Sequence, residues 1–225
     1  MIDKRVATIA EAIADIGDGA RIMLSGFGRI GVANALIRAV AESGAKDLTI
    51  IANGSGHHGS TQAELMDTGR VARLICSSAR GRGKEPTPFE KLYHSGKIEL
   101  ELVPQGTLAH RIRAGGSGVP AFYTPAGAGT DLAKGKETRV FDGRDCVLQT
   151  ALTADFALLR ADRGDGGGNI TYRGTQANFG PAMAAAAKVT IAEVRQVVAD
   201  GEIDPHHVRT PGIYVDRMIT VPEKS

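Results

Sequence analysis

The chain has 225 residues, with 27 basic and 25 acidic side chains and a formal charge of +2, so it can bury a sizeable core and is nearly balanced in charge. Tryptophan is absent, aromatics make up 4% of residues, and the basic residues are scattered apart from Arg80, Arg82 and Lys84, which argues against a nucleic-acid binder. No apolar run reaches membrane-spanning length. Two well-separated cysteines, Cys76 and Cys146, read as buried reduced thiols rather than a disulfide framework, so the cytoplasm is the expected compartment.

Val6, Ile9, Ile13 and Ile16 recur at helical spacing and predict an amphipathic helix over 4–17. A short buried strand follows at 22–24, then the glycine loop at 25–31. Residues 34–43 read as a helix with Leu36, Ile37 and Val40 inward and Gly44 as its stop. Strands are expected at 47–52, 71–78 and 97–103. The last alternates strictly, with Ile98, Leu100 and Leu102 on one face and Glu99 and Glu101 on the other, which marks a half-exposed or edge strand. The polar segment from Arg80 to Pro88 reads as a mobile loop.

A helix over 107–116 ends on two glycines, and "VPAFYTP" is a short strand. Residues 139–152 predict a hairpin with Asp142-Gly143 at its turn. Further strands are expected at 156–161, 169–172 and 188–194, with a helix at 178–187 that has Pro181 near its start. Alternating strands and helices predict an α/β fold: an open, mostly parallel sheet flanked by helices. No linker or break in composition is visible, so residues 1–225 are expected to form one domain.

Gly26, Gly28 and Gly31 spell G-x-G-x-x-G, the pattern of a dinucleotide-binding turn. That reading also needs an acidic side chain at the end of the next strand. The strand instead ends in Asn53-Gly54, and Asp47 lies at its start. Taken alone, the stretch is better read as a tight strand–helix turn. Adjacent histidines at 57–58 and 206–207 lack metal-ligand spacing. Ser25, Ser77 and Ser78 have no G-x-S-x-G elbow. "DRGDGGGN" (162–169) lacks the spaced acids of a calcium loop and reads as a flexible connection.

"DGARIMLSGFGRIGVANALI" resembles the glycine-rich signature of the α subunits of family I CoA-transferases, D-G-x-x-I-x-x-G-G-F-G-x-x-G-x-P-x-x-L-I. "LVPQGTLAHRIRAGGSGVPAFYTPAGAGT" (102–130) resembles a second long block of that family. "ADFALLRA", "GNITYRG", "ANFGPAMAAAAK" and "PGIYVDR" follow in the family's order, from about residue 3 to about residue 220. The likeness is strongest to the α subunits of 3-oxoacid and 3-oxoadipate CoA-transferases, and it implies the CoA-transferase fold.

The resemblance implies transfer of CoA from an acyl-CoA, succinyl-CoA being the expected donor, to a 3-oxoacid or related carboxylate. It implies no permanently bound cofactor; the coenzyme A thioester is a substrate. The family's nucleophile is a glutamate in a Glu-Asn-Gly context on the β subunit. This chain contains no Glu-Asn-Gly. Its glutamates, among them Glu11, Glu42, Glu99, Glu101 and Glu202, lie in helices, on strands or in polar turns. A β subunit is therefore the expected partner, in a heterodimer or an α2β2 heterotetramer, with neither nucleic acid nor membrane involved.

Gln105 matches the family's active-site Gln, and its neutral amide can donate to an oxyanion without proton transfer. Asn53 stands where the family has Asn-Asn, thought to contact the acid, with Gly54 in the second place. Gly26, Phe27 and Gly28 are expected to line the acyl end of a shared cleft. Ser77 and Arg80 follow the third strand, and Arg80 offers a guanidinium fork to a carboxylate. The chain departs from the pattern at Ser25, Ala33, Gly54, Ala79 and Ala128. Two alternatives stay open: a non-catalytic or repurposed partner chain of the same fold, and a self-sufficient sugar-phosphate isomerase with its own base and phosphate clamp.

Overall fold

The computed structural model describes residues 2–81 and 83–222; Arg82, one of the three clustered basic residues, lies outside them. In chain order the elements are α1 (Ile9–Ala12), β1 (Arg21–Leu24), α2 (Asn34–Ser43), β2 (Leu48–Ala52), α3 (Thr61–Asp67), β3 (Val71–Cys76), α4 (Pro88–His94), β4 (Glu99–Leu102) and α5 (Gln105–Gly116). They continue as β5 (Ala121–Thr124), β6 (Thr138–Phe141), β7 (Arg144–Thr150), β8 (Ala154–Gly164), β9 (Ile170–Thr171), α6 (Gly180–Ala186), β10 (Ala187–Val197) and β11 (Arg217–Thr220).

The main sheet runs β11-β10-β8-β1-β2-β3-β4, with β9 added antiparallel to β8 and every other pairing parallel. Strand alternation divides its apolar side chains between two faces. Ile22, Leu24, Ile50, Leu74 and Leu158 pack with α2, α3 and α4. Met23, Ile51, Ile75, Ala157 and Leu159 pack against Leu108 and Ile112 of α5 and Met183 of α6. A parallel sheet covered on both faces is the architecture the element order predicted. The chain leaves β1 toward β2 on one side and leaves β8 toward β10 on the other. The carboxyl ends of β1 and β8 therefore flank a topological switch point, where open α/β sheets form crevices.

Gly44 closes α2 in the left-handed conformation at φ 92°, as its place after Ser43 predicted. Asp142 (φ 48°) and Gly143 (φ 74°) make the tight turn between β6 and β7, which with β5 form a small antiparallel sheet. Asp-Gly suits such a turn because both central residues need positive φ. β4 is an edge strand as expected, with Leu102 exposed. Both cysteines are buried and free.

The N-terminal segment departs from expectation. Only Ile9–Ala12 is α-helical. Before it, Val6 N–H donates to Met218 O (3.0 Å), and Met218 N–H donates to Lys4 O (2.7 Å). Pairing with the open edge of β11 satisfies backbone groups that a helix would otherwise have used. The 162–169 stretch is no loose connection either. β8 extends to Gly164, and buried Asp165 accepts from Asn169 N–H (3.0 Å) and Nδ2 (2.9 Å), tying the turn into β9. Two helices were not anticipated, α3 and α4. Thr87 and Glu90 form a reciprocal capping box with Pro88 in the first turn, so the polar 80–88 stretch ends in a built helix start. α5 also begins earlier than expected, so Gln105 is its first residue rather than part of a strand-end loop.

Arg111 joins these layers. It is buried on α5 and donates from Nε to Thr150 O at 2.7 Å. It also pairs with Glu101 of β4, which Arg73 of β3 bridges at 2.7 Å. Burial would raise the Glu101 carboxyl, but the hydrogen bonds and charges of the two arginines outweigh it and hold it below the ordinary range. Arg111→Ala leaves Glu101 without its buried partner and should cost about 3 kcal/mol, measured by urea unfolding. Because the folded-state value is lowered, Glu101 stabilises the fold above its unfolded pKa. That contribution is lost as pH falls through the lowered value. The stability gap between wild type and Arg111→Ala should therefore narrow in acid.

Candidate active site

Four loops meet at the carboxyl edge of β1–β4. After β1, Ser25 stays in register beside β8: its N–H donates to Leu158 O (3.1 Å) and its Oγ accepts from Arg160 N–H (3.2 Å). The same hydroxyl donates to Gly31 O at 2.7 Å, closing the loop across its base. At the tip, Phe27 and Ile30 exchange backbone hydrogen bonds of 2.9 and 3.1 Å around Gly28. Both tip side chains are about half exposed, at 51% and 49%.

Close approach fixes two of the glycines. A Cβ at Gly26 would lie 2.5 Å from Val32 Cγ2, and one at Gly31 would strike Gln176 O and Asn178 Nδ2. Gly28 has open space but needs its φ of +62° for the turn. Glycine therefore serves the backbone here. The next helix start is also taken. Glu193, buried on β10, accepts from Ala35 N–H (2.9 Å) and Leu36 N–H (3.1 Å) at the head of α2. A dinucleotide would seat its pyrophosphate at that position, which the buried Glu193 side chain already occupies.

Asn178 holds the loop from the far side of the sequence. Its Oδ1 accepts from Gly26 N–H (3.1 Å) and Phe179 N–H (2.7 Å), and its Nδ2 donates to Ile30 O (3.1 Å) and Gln176 O (2.9 Å). It adopts φ 25°, which a non-glycine side chain accepts only under constraint.

The second cluster joins two strand ends and the head of α5. Gln105 Nε2 donates to Asn53 Oδ1 at 3.0 Å. Ser77 Oγ lies 2.9 Å from both Asn53 O and Asn53 Oδ1. As placed, the Asn53 side-chain carbonyl accepts from Gln105, and the single Ser77 hydroxyl proton is divided between the two Asn53 oxygens. Gly54 continues the parallel pairing with Ser78. Gln105 is exposed and Asn53 half-buried. Arg80 does not join them: it is exposed, and its charge acts on Glu90 at the head of α4.

Arg29 Nε donates to His57 Nε2 at 2.9 Å, which ties the glycine loop to the loop that begins at Asn53. Between the glycine turn and the starts of α2 and α3 lies a cavity of about 1090 Å³, lined by Arg29, Arg160, His57, His58 and Glu193 among others. Asn53 and Gln105 do not line it; of the pair, only Gln105 is exposed.

Cys76 and Glu193 are both held by burial away from their reactive ionised forms. Burial pushes the Cys76 thiol up to about 11, which leaves it protonated at neutral pH. Burial also raises the Glu193 carboxyl, against the opposing pull of Arg160 and the α2 backbone. Its oxygens are committed to the α2 backbone and to Arg160, whose Nη1 lies 3.4 Å away. Sequence reasoning missed both Glu193 and Asn178. No local motif marks them, because their partners lie about 150 residues away.

The family pattern described as Coenzyme A transferase matches residues 6–220. The chain belongs to that family. Among its relatives, the A subunit of 3-oxoadipate CoA-transferase from Pseudomonas putida is 51% identical over 98% of this chain and 95% of its own. The A subunit of a probable succinyl-CoA:3-ketoacid coenzyme A transferase from Mycobacterium tuberculosis is 46% identical over the same shares. Two solved structures share the fold. The acyl-CoA transferase apoenzyme of Escherichia coli O157:H7 superposes with a TM-score of 0.85 at 23% identity, covering 99% of this chain and 48% of its own. Glutaconate coenzyme A-transferase of Acidaminococcus fermentans gives 0.85 at 22%, over 97% of this chain and 76% of its own. This CoA-transferase chain thus spans about half the length of the E. coli polypeptide.

Asn178→Ala removes the clamp, leaves Gly26 N–H and Ile30 O without it, and places alanine at a positive φ. It should destabilise the chain by roughly 2–3 kcal/mol, read as a lower urea midpoint at unchanged m-value. Asn178→Asp keeps the two accepted bonds and should lose less.

Proposed function

We propose that this chain is the α subunit of a two-subunit CoA-transferase that moves CoA from succinyl-CoA to a 3-oxoacid. The observation that carries the reading is the Gln105–Asn53–Ser77 network. It presents the exposed Gln105 amide as a neutral donor, and no carboxylate belongs to it. The names borne by the relatives support both the class and the existence of a β-type partner.

In this reading, the partner contributes a glutamate that attacks the thioester carbonyl. The carbonyl carbon becomes tetrahedral, and its oxygen carries the negative charge. Collapse expels CoA as thiolate and leaves an acyl–glutamyl anhydride. CoA then attacks the glutamyl carbonyl, releases the acid and leaves a glutamyl–CoA thioester, which the acceptor acid resolves by the reverse steps. Each tetrahedral stage needs a donor that surrenders no proton. Gln105 supplies one from its second Nε2 hydrogen, and Asn53 holds it in place. Phe27, Gly26 and Gly28 form an apolar wall, with Gly54 and Ser77 fixing the Asn53 loop. Arg80 lies apart and is left with a surface role. The coenzyme A thioester enters as substrate, the chain acts as one domain over residues 1–225, and the pair works in the cytoplasm as a heterodimer or heterotetramer.

Mixing the chain with its β subunit should yield a complex that exchanges CoA between succinyl-CoA and a 3-oxoacid, while neither chain alone turns over. Gln105→Ala in that complex should lower kcat about a hundredfold, or ~3 kcal/mol. Wild-type rates from the Gln105→Ala complex would remove the amide from the mechanism, and turnover by this chain alone would refute the two-chain reading.

A further inference from the structure

Beside the edge strand β4, a second cavity of about 320 Å³ lies between the main sheet and the small antiparallel sheet. Glu101 of β4 and Arg111 of α5 line it from one side, and residues 135–137 and 148–150 from the other. Gln105, Asn53 and Ser77 are not among its lining residues, and the transferase reading makes no use of it.

Gln149 singles this cavity out. It is a polar side chain only 4% exposed, on a strand that also buries Cys146 and Val147. Its Oε1 accepts from Lys136 Nζ at 3.3 Å. An ammonium can only donate, so this contact fixes which end of the amide is nitrogen. Nε2 meets no acceptor among the described residues, yet it is not one of the enclosed atoms that lack a partner. In so buried a residue, the face left open to that nitrogen is the one that lines the cavity. A buried amide with an unused donor calls for an acceptor.

The surrounding charge says what kind. Among the described residues no carboxylate lies within ion-pair reach of the Lys136 ammonium, which has N–H groups left to give beyond the one spent on Gln149. The two lining carboxylates already hold arginines. Arg111 and Arg73 each take one oxygen of Glu101, and Glu137 Oε1 accepts from Tyr123 O–H (2.6 Å) and Arg139 Nε (2.8 Å). Counting the lining side chains with their ion-pair partners, four cations (Arg73, Arg111, Lys136, Arg139) stand against two carboxylates (Glu101, Glu137). The excess is positive.

We infer that this cavity is a binding site for a small oxyanion, a carboxylate or inorganic phosphate. Gln149 Nε2 and Lys136 Nζ donate to its oxygens, and buried Arg111 adds charge from the opposite wall. The volume suits an acid of a few carbons. Once bound, the anion joins the small sheet to β4 and α5, so it stabilises the fold. The inference does not rest on the transferase reading, because none of the residues assigned to the reaction takes part.

Titrating the full chain at constant ionic strength with sodium succinate and, separately, with sodium phosphate tests the site, with sodium chloride as the control. Amide resonances of residues 135–137 and 148–150, and the side-chain amide of Gln149, should shift saturably with at least one oxyanion and not with chloride. The ratio of the two affinities tells which oxyanion the site takes. Lys136→Met and Gln149→Leu should each weaken binding about tenfold, through loss of one donor to a charged acceptor. Gln105→Ala should leave it unchanged. Lys136 is exposed, so its variant reads the site even if Gln149→Leu fails to fold. No shift with either oxyanion, the same shifts with chloride, or an affinity untouched by Lys136→Met overturns the site. Loss of binding in Gln105→Ala overturns it too, because the anion would then sit in the amide cluster.

Discussion

The carbonyl oxygen of the Asn53 side chain receives Gln105 Nε2 at 3.0 Å and Ser77 Oγ at 2.9 Å. That contact ties the two amides to each other and to the end of β3. With one N–H spent, Gln105 keeps one to give. The three residues stand at the end of β2, at the end of β3 and at the head of α5. Their spacing is set by strand register and by the helix that crosses to the opposite face. Preorganised donors are effective because they need no reorientation as charge develops.

The glycine loop beside them illustrates why a sequence pattern does not specify a ligand. Its spacing satisfies the dinucleotide fingerprint, yet every glycine has a local reason. Val32 crowds Gly26, the 176–178 segment crowds Gly31, and the turn demands Gly28. The decisive residue is Glu193, whose carboxylate already sits on the first N–H groups of α2. Ser25, which differs from the family's glycine, places its hydroxyl where it binds both Gly31 O and the β8 backbone. The change keeps the loop closed by other means.

The strands were legible because apolar runs and alternation are local signals. β2 and β3 lie where hydrophobicity placed them, and the edge position of β4 follows from its alternating glutamates. Asp142-Gly143 fixed its turn for equally local reasons. The failures share one cause. Residues 4–6 had helical periodicity, but their backbone found the edge of β11, more than 200 residues away. Asn178 and Glu193 act across the sheet on loops some 150 residues distant. Gln105 was singled out through the family block, but its hydrogen bond to Asn53, and Asn53's to Ser77, form only when the ends of β2 and β3 and the head of α5 are brought together. Arg80 is exposed and takes no part in the Gln105–Asn53–Ser77 network.

Phe27 and Ile30 keep about half their surface in water at the tip of a turn that cannot fold back, because Asn178 and Ser25 pin its stem. Covering both would release apolar surface worth roughly 1 kcal/mol for each side chain. The solitary polypeptide is thus held in a wetted state that it cannot relieve by rearranging itself. Any surface that seats against the tip meets a rigid shape and need not first immobilise it, so little entropy is lost on contact.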